Sequence, residues 1–110
     1  MAGDGSTVRD YLYVEDFVDG VLAAVQRGEA GATYNLGSGE GTSVRTLLDR
    51  IGEAVAEDGL GLQIEQRPAR PVDVSHNVLD AGRLTDVTGW RARVPLEEGL
   101  RATWHWVKNR

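Results

Sequence analysis

The amino-acid sequence predicts a small α/β domain of about four helices and three or four short strands. Aromatic residues first alternate with other side chains at the two-residue period of a strand, as Tyr11 and Tyr13 do. Directly afterwards, apolar residues recur at the three- and four-residue spacing of one helical face, and the same spacing returns further along the chain. Glycine-rich turns separate these segments, and the mixture of the two periods predicts the α/β class.

The first strand is predicted near residues 8–13 and the first helix at 14–27. Glu15 and Asp16 place negative charge at the end of this helix where its dipole is positive. Gly20 interrupts the apolar spacing, which indicates close packing against a neighbour. The apolar face of the helix consists of Val14, Phe17, Val18, Val21, Leu22 and Val25.

A second strand is predicted at 32–36 and a second helix at 43–57, joined by the glycine-rich loop at 37–41. Thr42 or Ser43 is expected to cap this helix. Its apolar face consists of Val44, Leu47, Leu48, Ile51, Ala54 and Val55.

The glycine-rich loop, between a strand and a helix, invites comparison with a dinucleotide-binding turn, because backbone amides at a helix N-terminus favour phosphate. Its third glycine, Gly41, comes one residue too early for the Gly-x-Gly-x-x-Gly fingerprint. Glu40 would also repel an anion held against the loop. We therefore interpret the loop as a plain turn.

A third strand is predicted at 62–66, where Leu62 and Ile64 alternate with other residues. The proline-containing segment at 67–71 cannot continue a ladder, because proline has no amide proton to donate. We expect it to form an exposed basic loop. A further brief strand at 77–79 would make the fourth.

Two more helices complete the prediction, at 81–88 and 95–108. Asp80 is a good N-cap for the shorter helix, and Gly89 is well placed to end it. Pro95 suits the first position of the longer helix. The apolar stripe of that helix consists of Leu96, Leu100, Trp104 and Val107.

Length and composition fit one ordinary globular domain. The 110 residues include 41% hydrophobic and 26% charged side chains. The net charge of −5 argues against a surface for nucleic acid or anionic membranes. The absence of cysteine excludes disulfides, thiolate metal sites and cysteine nucleophiles. No secretory leader or apolar run of membrane length is seen, so we expect a cytoplasmic protein.

The histidines and tryptophans do not indicate a site. His76 and His105 lie far apart, without the carboxylate or cysteine spacing typical of a metal site, so no metal is expected. Trp90 is expected to pack inward. We interpret Trp104 and Trp106 as packing residues of the core or of an interface, because a base-stacking platform needs a basic groove.

Short motifs in a fixed order carry a resemblance to a known family. They are Gly3-Asp4-Gly5-Ser6, Arg9-Asp10-Tyr11, Tyr34-Asn35-Leu36-Gly37, Arg70-Pro71-Val72-Asp73, Gly89-Trp90 and Leu96-Glu97-Glu98-Gly99-Leu100. None is specific alone, but together they resemble the extended short-chain dehydrogenase/reductase family, namely the NAD-dependent nucleotide-sugar epimerases and dehydratases typified by UDP-glucose 4-epimerase. The resemblance implies that residues 1–110 form the C-terminal substrate-binding domain of such an enzyme and that the Rossmann cofactor domain is absent from the chain.

The resemblance also implies which residues bind substrate. In the family, the arginines of an Arg-Asp-Tyr and an Arg-Pro-Gly-Asp motif bind the diphosphate, the tyrosine contacts the nucleotide, and the final aspartate holds the ribose. A guanidinium can clamp phosphate oxygens with two parallel hydrogen bonds, which suits this role. These roles fall on Arg9, Tyr11, Arg70 and Asp73.

Two features leave alternatives open for these residues. Val72 stands where the family usually has glycine, and the pair Arg67-Pro68 repeats the Arg-Pro of the motif, so Arg67 is the alternative to Arg70. Considered without the resemblance, exposed arginines more often form weak surface ion pairs. A strand tyrosine is commonly a core residue, and a loop aspartate commonly caps a turn.

Catalysis is not expected from this chain by itself. The family's chemistry uses a tyrosine and a lysine from a Tyr-x-x-x-Lys motif and an NAD held by a Gly-x-x-Gly-x-x-Gly turn, and neither motif occurs here. The sequence therefore predicts the nucleotide-sugar-binding portion of an NAD-dependent epimerase or dehydratase, without a catalytic residue or a cofactor site of its own. The alternative is a stand-alone protein-interaction module, or a small subunit that docks a separate Rossmann chain.

The resemblance carries one further expectation about packing. In the family, the first helix and the strand at 34–36 pack against the cofactor domain, so Phe17, Val21 and their apolar neighbours would lack a partner here. A large exposed apolar patch is unusual on a soluble monomer. We expect either self-association through this face, or a rearranged packing in which the helix carrying Trp104 and Trp106 covers it.

Overall fold

The regular structure consists of four α-helices and three strands of two residues each, in a computed structural model that describes residues 1–110. The helices are α1 (Val14–Arg27), α2 (Val44–Ala56), α3 (Gly82–Thr88) and α4 (Leu96–Asn109). The strands are β1 (Val8–Arg9), β2 (Thr42–Ser43) and β3 (His76–Asn77). This arrangement confirms the α/β class and the expected number of elements. None of the helices combines the length and the apolar character that crossing a membrane requires.

All four predicted helices are confirmed, and their ends differ from the predicted ones by one residue at most. The Ser43 hydroxyl caps α2 by accepting a hydrogen bond from the Thr46 amide at 3.1 Å. Gly89 ends α3 with a φ of 79°, a left-handed conformation that glycine adopts without strain. Ala81, and not Asp80 as predicted, is the N-cap of α3, although Oδ1 of Asp80 accepts from the first amide of the helix at 2.8 Å.

Two of the predicted strands are wrong. At residues 32–36 the burial alternates as a strand would, with Tyr34 and Leu36 half-buried and the residues between them exposed, but no backbone ladder forms. The segment at 62–66 is exposed throughout and also lacks a ladder. A two-residue pattern reports which side chains face an apolar surface, whereas a strand also needs a neighbouring backbone to bond. The amides of 33–36 donate to no other backbone group, and the segment 62–66 meets a neighbouring backbone only near its end, where the Glu65 carbonyl oxygen accepts from the Met1 amino group at 2.6 Å.

The other two strand predictions are confirmed in part. The strand predicted at 8–13 is present only as β1, and the brief strand expected at 77–79 appears slightly earlier, as β3. Beyond these residues the ladder stops, because the Leu79 amide donates to the side-chain carboxylate of Asp10 at 3.2 Å.

The sheet has the order β2-β1-β3, so β1 is the central strand. It pairs antiparallel with β2 and parallel with β3, and Arg9 lies opposite Thr42 on one side and Asn77 on the other. An isolated parallel bridge joins Ala2 to Arg67. The N-terminal segment therefore runs beside the loop that leads into β3.

The core lies where α1 and α3 meet, around the buried residues Ala23, Leu84 and Trp90. Trp90 packs inward as predicted, and its indole Nε1 donates to the carbonyl oxygen of Asp16 at 3.1 Å. The carboxylate of Asp16 is also buried and accepts from two successive backbone amides just before α4, at 3.0 and 2.9 Å. These bonds compensate for removing the carboxylate from water.

Helix α1 packs on this core through its small residues and turns its large apolar ones outward. Its buried residues are Asp16, Gly20 and Ala23. A Cβ on Gly20 would lie 2.6 Å from Leu36 and 3.0 Å from Trp90, so the close packing predicted there is confirmed. Six side chains are 40–77% exposed, and we call them the outer face of α1: Val14, Phe17, Val18, Val21, Leu22 and Val25.

Helix α4 packs against α2 and leaves the outer face of α1 uncovered. The carboxylate of Asp58, just beyond α2, accepts from Lys108 Nζ at 2.8 Å and from Trp104 Nε1 at 2.7 Å. These bonds lower the pKa of Asp58 from 3.8, so its contribution to folding is present at neutral pH and is lost only in stronger acid. Trp106 is 63% exposed. The rearranged packing considered from the sequence, with this helix over the first one, is therefore wrong.

Replacing Gly20 by alanine should lower the free energy of unfolding by about 1–3 kcal/mol, because the added methyl group overpacks the contact with Leu36 and Trp90. Gly52→Ala, at a helical glycine with open space around its Cβ position, is the matched control. That change should stabilise the protein by about 0.5–1 kcal/mol through helix propensity alone. Urea denaturation measures both, and equal effects at the two glycines would contradict this account of α1 packing.

Candidate functional site

Arg9 lies at the end of the central strand, with a neighbouring strand on each side. Its side chain is half-buried, and Nη1 donates to the carbonyl oxygen of Val8 at 2.9 Å. It forms no ion pair with a carboxylate. A partly buried guanidinium without a protein counter-charge is well suited to bind an anion.

Arg70 and Asp73 are brought together in the exposed loop before β3. Nε of Arg70 donates to Oδ2 of Asp73 at 3.0 Å, and the Asp73 amide donates to the Arg70 carbonyl oxygen at 3.2 Å. The Arg70 side chain is 70% exposed and that of Asp73 is 27% exposed. The bond through Nε orients the guanidinium while its two terminal nitrogens have no protein acceptor.

Arg67, the alternative to Arg70, has a different environment. Its Nη2 pairs with Oε1 of Glu65 at 3.1 Å, and both side chains are 70% exposed or more. A terminal nitrogen of Arg67 is thus already in use, whereas both terminal nitrogens of Arg70 are available. This difference favours Arg70 as the anion-binding residue of the loop.

The loop that carries Arg67 and Arg70 lies beside the N-terminal segment that leads to Arg9. The Gly3 amide donates to the carbonyl oxygen of Arg67 at 2.7 Å, and a Cβ on Gly3 would lie 3.3 Å from that of Ala69. The segment that leads to Arg9 is therefore held against the loop that carries Arg70. No hydrogen bond or ion pair joins the two arginines to each other.

Tyr11 follows Arg9 by two residues and lines a groove that includes neither Arg9 nor Arg70. Its half-buried ring lines a polar groove of about 330 Å³ together with Thr42, Thr46 and Arg50. The Arg50 guanidinium in this groove is paired with two glutamates, at 3.0 and 3.3 Å. Hydroxyl groups and a planar cation are suited to hydrogen bonding with a nucleoside.

Asp10, between Arg9 and Tyr11, was not singled out from the sequence. Its Oδ1 accepts from the amide and the hydroxyl of Ser38, at 2.9 and 2.6 Å. Its Oδ2 accepts from the amides of Gly39 and Leu79, at 3.0 and 3.2 Å. One carboxylate thus connects three segments that are distant in sequence. An aspartate inside a strand-like stretch could have prompted this assignment, because such a residue is unusual in a strand.

The glycine-rich loop does not fit a dinucleotide cofactor. The amides of Ser38 and Gly39, which would have to face a pyrophosphate, are already bonded to the carboxylate of Asp10. The Glu40 amide is bonded to the Ser38 hydroxyl at 3.1 Å. An anion of this chain therefore fills the place that a bound phosphate would need, which gives the loop's glycines a structural role.

The chain offers no pair for the family's hydride chemistry. Lys108 is the only lysine, and it lies on α4 with its ammonium group bonded to Asp58. The hydroxyl of Tyr34 accepts from the Glu29 amide at 2.9 Å, at the end of the turn after α1. No three histidine, aspartate or glutamate side chains lie close enough together to hold a metal ion.

Comparison with known proteins gives consistent matches over nearly the whole chain. The family model described as GDP-mannose 4,6 dehydratase matches residues 1–103. The UDP-glucose 4-epimerase of Mycolicibacterium smegmatis is 37% identical over 108 residues, which cover 98% of this chain and 34% of that protein.

Solved structures agree with these matches. The UDP-glucose 4-epimerase of Thermotoga maritima, solved with UDP-glucose, has a TM-score of 0.88 and 35% identity and covers 99% of this chain and 34% of its own. The UDP-glucose 4-epimerase of Bifidobacterium longum, solved with NAD+ and UDP, has a TM-score of 0.85 and 27% identity, covering 99% and 32%.

The fold and the motifs define an α/β protein of the nucleotide-sugar epimerase and dehydratase class, and the resemblance noted in the sequence is confirmed. The chain belongs to the GDP-mannose 4,6 dehydratase family, within the extended short-chain dehydrogenase/reductase group. It spans about a third of the length of the relatives it matches. Structures of this family hold NAD, as that of Bifidobacterium longum does.

NAD should not bind to the isolated chain, because the loop amides of Ser38 and Gly39 are occupied by Asp10. Titration with NAD followed by amide chemical shifts should show no saturable change. Glu40→Gln removes the repulsive charge and is the informative variant: it should leave the result unchanged, since Asp10 still fills the amides. Saturable shifts at micromolar NAD in either protein would contradict the prediction.

Proposed function

We propose that this chain is the nucleotide-sugar-binding portion of an NAD-dependent sugar epimerase or dehydratase and is not catalytic by itself. The ligand class is a nucleoside diphosphate sugar, and the binding residues are Arg9, Tyr11, Arg70 and Asp73. The cytoplasmic location expected from the sequence stays a prediction.

The observation that carries the proposal is the state of the two arginines. Arg70 is oriented by its bond to Asp73 and keeps both terminal nitrogens free, and Arg9 is half-buried without a carboxylate partner. Two such guanidinium groups on adjacent segments are suited to a ligand with two neighbouring negative groups, and a diphosphate is one. The missing carboxylate partner of Arg9 is notable because acidic side chains outnumber basic ones in this chain, which has a net charge of −5.

The relatives support the ligand class. The structure of the Thermotoga maritima UDP-glucose 4-epimerase holds UDP-glucose, and its match to this chain extends over 99% of the residues here. The absence of a Tyr-x-x-x-Lys motif supports the second part of the proposal, that catalysis requires residues other than those of this chain.

Replacing Arg70 by alanine should weaken UDP binding about ten- to a hundredfold, because one charge-assisted phosphate contact is lost, worth about 1.5–3 kcal/mol. Isothermal titration with UDP measures the dissociation constant. Arg9→Ala should also weaken binding, and Arg67→Ala should not if the loop binds through Arg70.

The matched control is Arg101→Ala on α4. Arg101 resembles Arg70 in exposure, at 62%, and in having a carboxylate partner, Glu57 at 3.4 Å. Its removal should leave UDP affinity unchanged. The site assignment is wrong if Arg9→Ala and Arg70→Ala both behave like Arg101→Ala. A loss confined to Arg67→Ala would transfer the role to that arginine.

A second candidate function is docking of another protein surface, and the outer face of α1 favours it. The helix buries small residues and exposes six large apolar ones, the reverse of what a surface helix does. The neighbouring segment 33–36 also donates none of its amides to another backbone group. An exposed apolar helix beside an unpaired, strand-like segment is suited to a partner that offers a sheet, as a Rossmann domain does, or to a second copy of this chain.

The isolated chain should self-associate through the outer face of α1, and Val18→Asp/Val25→Asp should weaken this association about tenfold or more, because charge replaces buried apolar surface. Sedimentation equilibrium over a range of concentrations gives the association constant.

The matched control is Val72→Asp/Val74→Asp, which places the same two charges on valines that are 87% and 58% exposed in the loop before β3. This variant should associate as the unmodified chain does. A chain that stays monomeric at high concentration, or an equal loss of association in both variants, would contradict self-association through α1.

A further inference from the structure

The carboxylate of Asp10 stands at the junction of the residues proposed to bind the nucleotide diphosphate. It separates Arg9 from Tyr11 in sequence, and it reaches across to Leu79, two residues after β3. The strand β3 is in turn the continuation of the loop that carries Arg70. A single side chain therefore connects the backbone between Arg9 and Tyr11 to the segment that follows the Arg70 loop and β3.

The bonding of Asp10 is complete. Four donors converge on its two oxygens: the amide and hydroxyl of Ser38, the amide of Gly39 and the amide of Leu79. Partial burial acts to raise the pKa of Asp10, but the bonds from Ser38, Gly39 and Leu79 outweigh it and lower the pKa from 3.8. The group is thus ionised at neutral pH, and its contribution to folding is lost only when the pH falls below that value.

The close approach depends on a glycine. A Cβ on Gly37 would lie 2.7 Å from Oδ2 of Asp10 and 2.8 Å from Cβ of Leu79, so no side chain can stand between the loop and the carboxylate. The backbone ladder has ended by this point, because β1 stops at Arg9 and β3 at Asn77. The carboxylate continues the connection that the sheet no longer makes.

We propose that Asp10 is a positioning residue of the nucleotide-diphosphate site, which holds the backbone of Arg9 and Tyr11 at a fixed place relative to β3 and the Arg70 loop. This inference rests on the proposed function. Asp10 does not touch the ligand, because all of its acceptor positions face the protein. Its effect on binding is transmitted through the two residues beside it.

Asp10→Asn tests this role. Asparagine keeps the shape but presents an NH₂ group to the amide donors of Gly39 and Leu79, so at least one of the four bonds is replaced by a contact between two donors. UDP affinity should fall about tenfold. In amide spectra, the UDP-induced shifts at Arg9 and Tyr11 should weaken. Those at Arg70 and Asp73 should persist, because their own turn and ion pair hold them.

The control is Asp58→Asn, which alters another carboxylate that accepts two hydrogen bonds, between α2 and α4 and outside the groove that Tyr11 lines. It should lower stability without changing UDP affinity per folded molecule. Ser38→Ala removes one donor and keeps the carboxylate, and should weaken UDP binding about threefold. This milder variant keeps the test valid if Asp10→Asn does not fold.

The outcomes separate the two claims. If the unmodified chain does not bind UDP, the proposed function fails and the positioning role falls with it. If the unmodified chain binds UDP and Asp10→Asn or Ser38→Ala binds equally well, only the positioning role is overturned. An equal loss of affinity in Asp10→Asn and Asp58→Asn would also overturn it, because both carboxylates would then act through overall stability alone.

Discussion

The packing of α1 through Gly20 onto Trp90 and Leu36 is the constraint on which the rest of the structure depends. There is no room for a Cβ at this contact, so the helix can approach the core only along its line of small residues. Once that side faces inward, the geometry of a helix turns Phe17 and Val21 to the opposite side. The core stays small, with ten buried residues in the chain, and a second apolar surface is left at the exterior.

Two carboxylates connect segments of the chain that the short sheet does not join. Its strands have two residues each, so the ladder supplies few backbone bonds. Asp16 instead fixes the segment before α4 to α1, and Asp10 fixes the glycine loop and Leu79 to the central strand. Hydrogen bonds to an ionised acceptor are stronger than neutral ones, which suits them to hold irregular segments. Buried or partly buried carboxylates in this chain are thus parts of the scaffold.

The carboxylates and the guanidinium groups of the candidate site differ in how far their hydrogen bonds are satisfied within the protein. The carboxylates of Asp10 and Asp16 are saturated with donors, and that of Asp73 orients Arg70. The terminal nitrogens of Arg70 have no protein acceptor, and Arg9 forms no ion pair with a carboxylate. In the glycine-rich loop, the amides of Ser38 and Gly39 are already bonded to Asp10 and cannot also hold a phosphate. The proposed anion binding therefore rests on guanidinium groups and not on the backbone of the loop.

The helices could be predicted from the sequence almost to the residue, because apolar spacing, capping residues and glycines are local signals. The helix at 14–27 is the clearest case, with identical predicted and observed bounds. The family and the identity of the candidate arginines also followed from motifs in the chain, since Arg9 and Arg70 stand at recognisable positions. What the periodicity of α1 could not reveal was which face turns inward, because both the small and the large residues form a helical stripe.

The strands and the support of the site were decided by tertiary structure. A strand requires a partner backbone along its length. The alternating residues at 32–36 have none in this chain, and those at 62–66 meet the N-terminal segment only at Glu65, so their pattern was insufficient. The role of Asp10 depends on Ser38 and Leu79, which lie 28 and 69 residues away in sequence, and no local pattern specifies contacts of that range. The sequence by itself determined the helices, the family and the residues available for chemistry. Only the fold decided which of their polar groups are satisfied internally and which are left free, because that depends on neighbours brought together from distant parts of the chain.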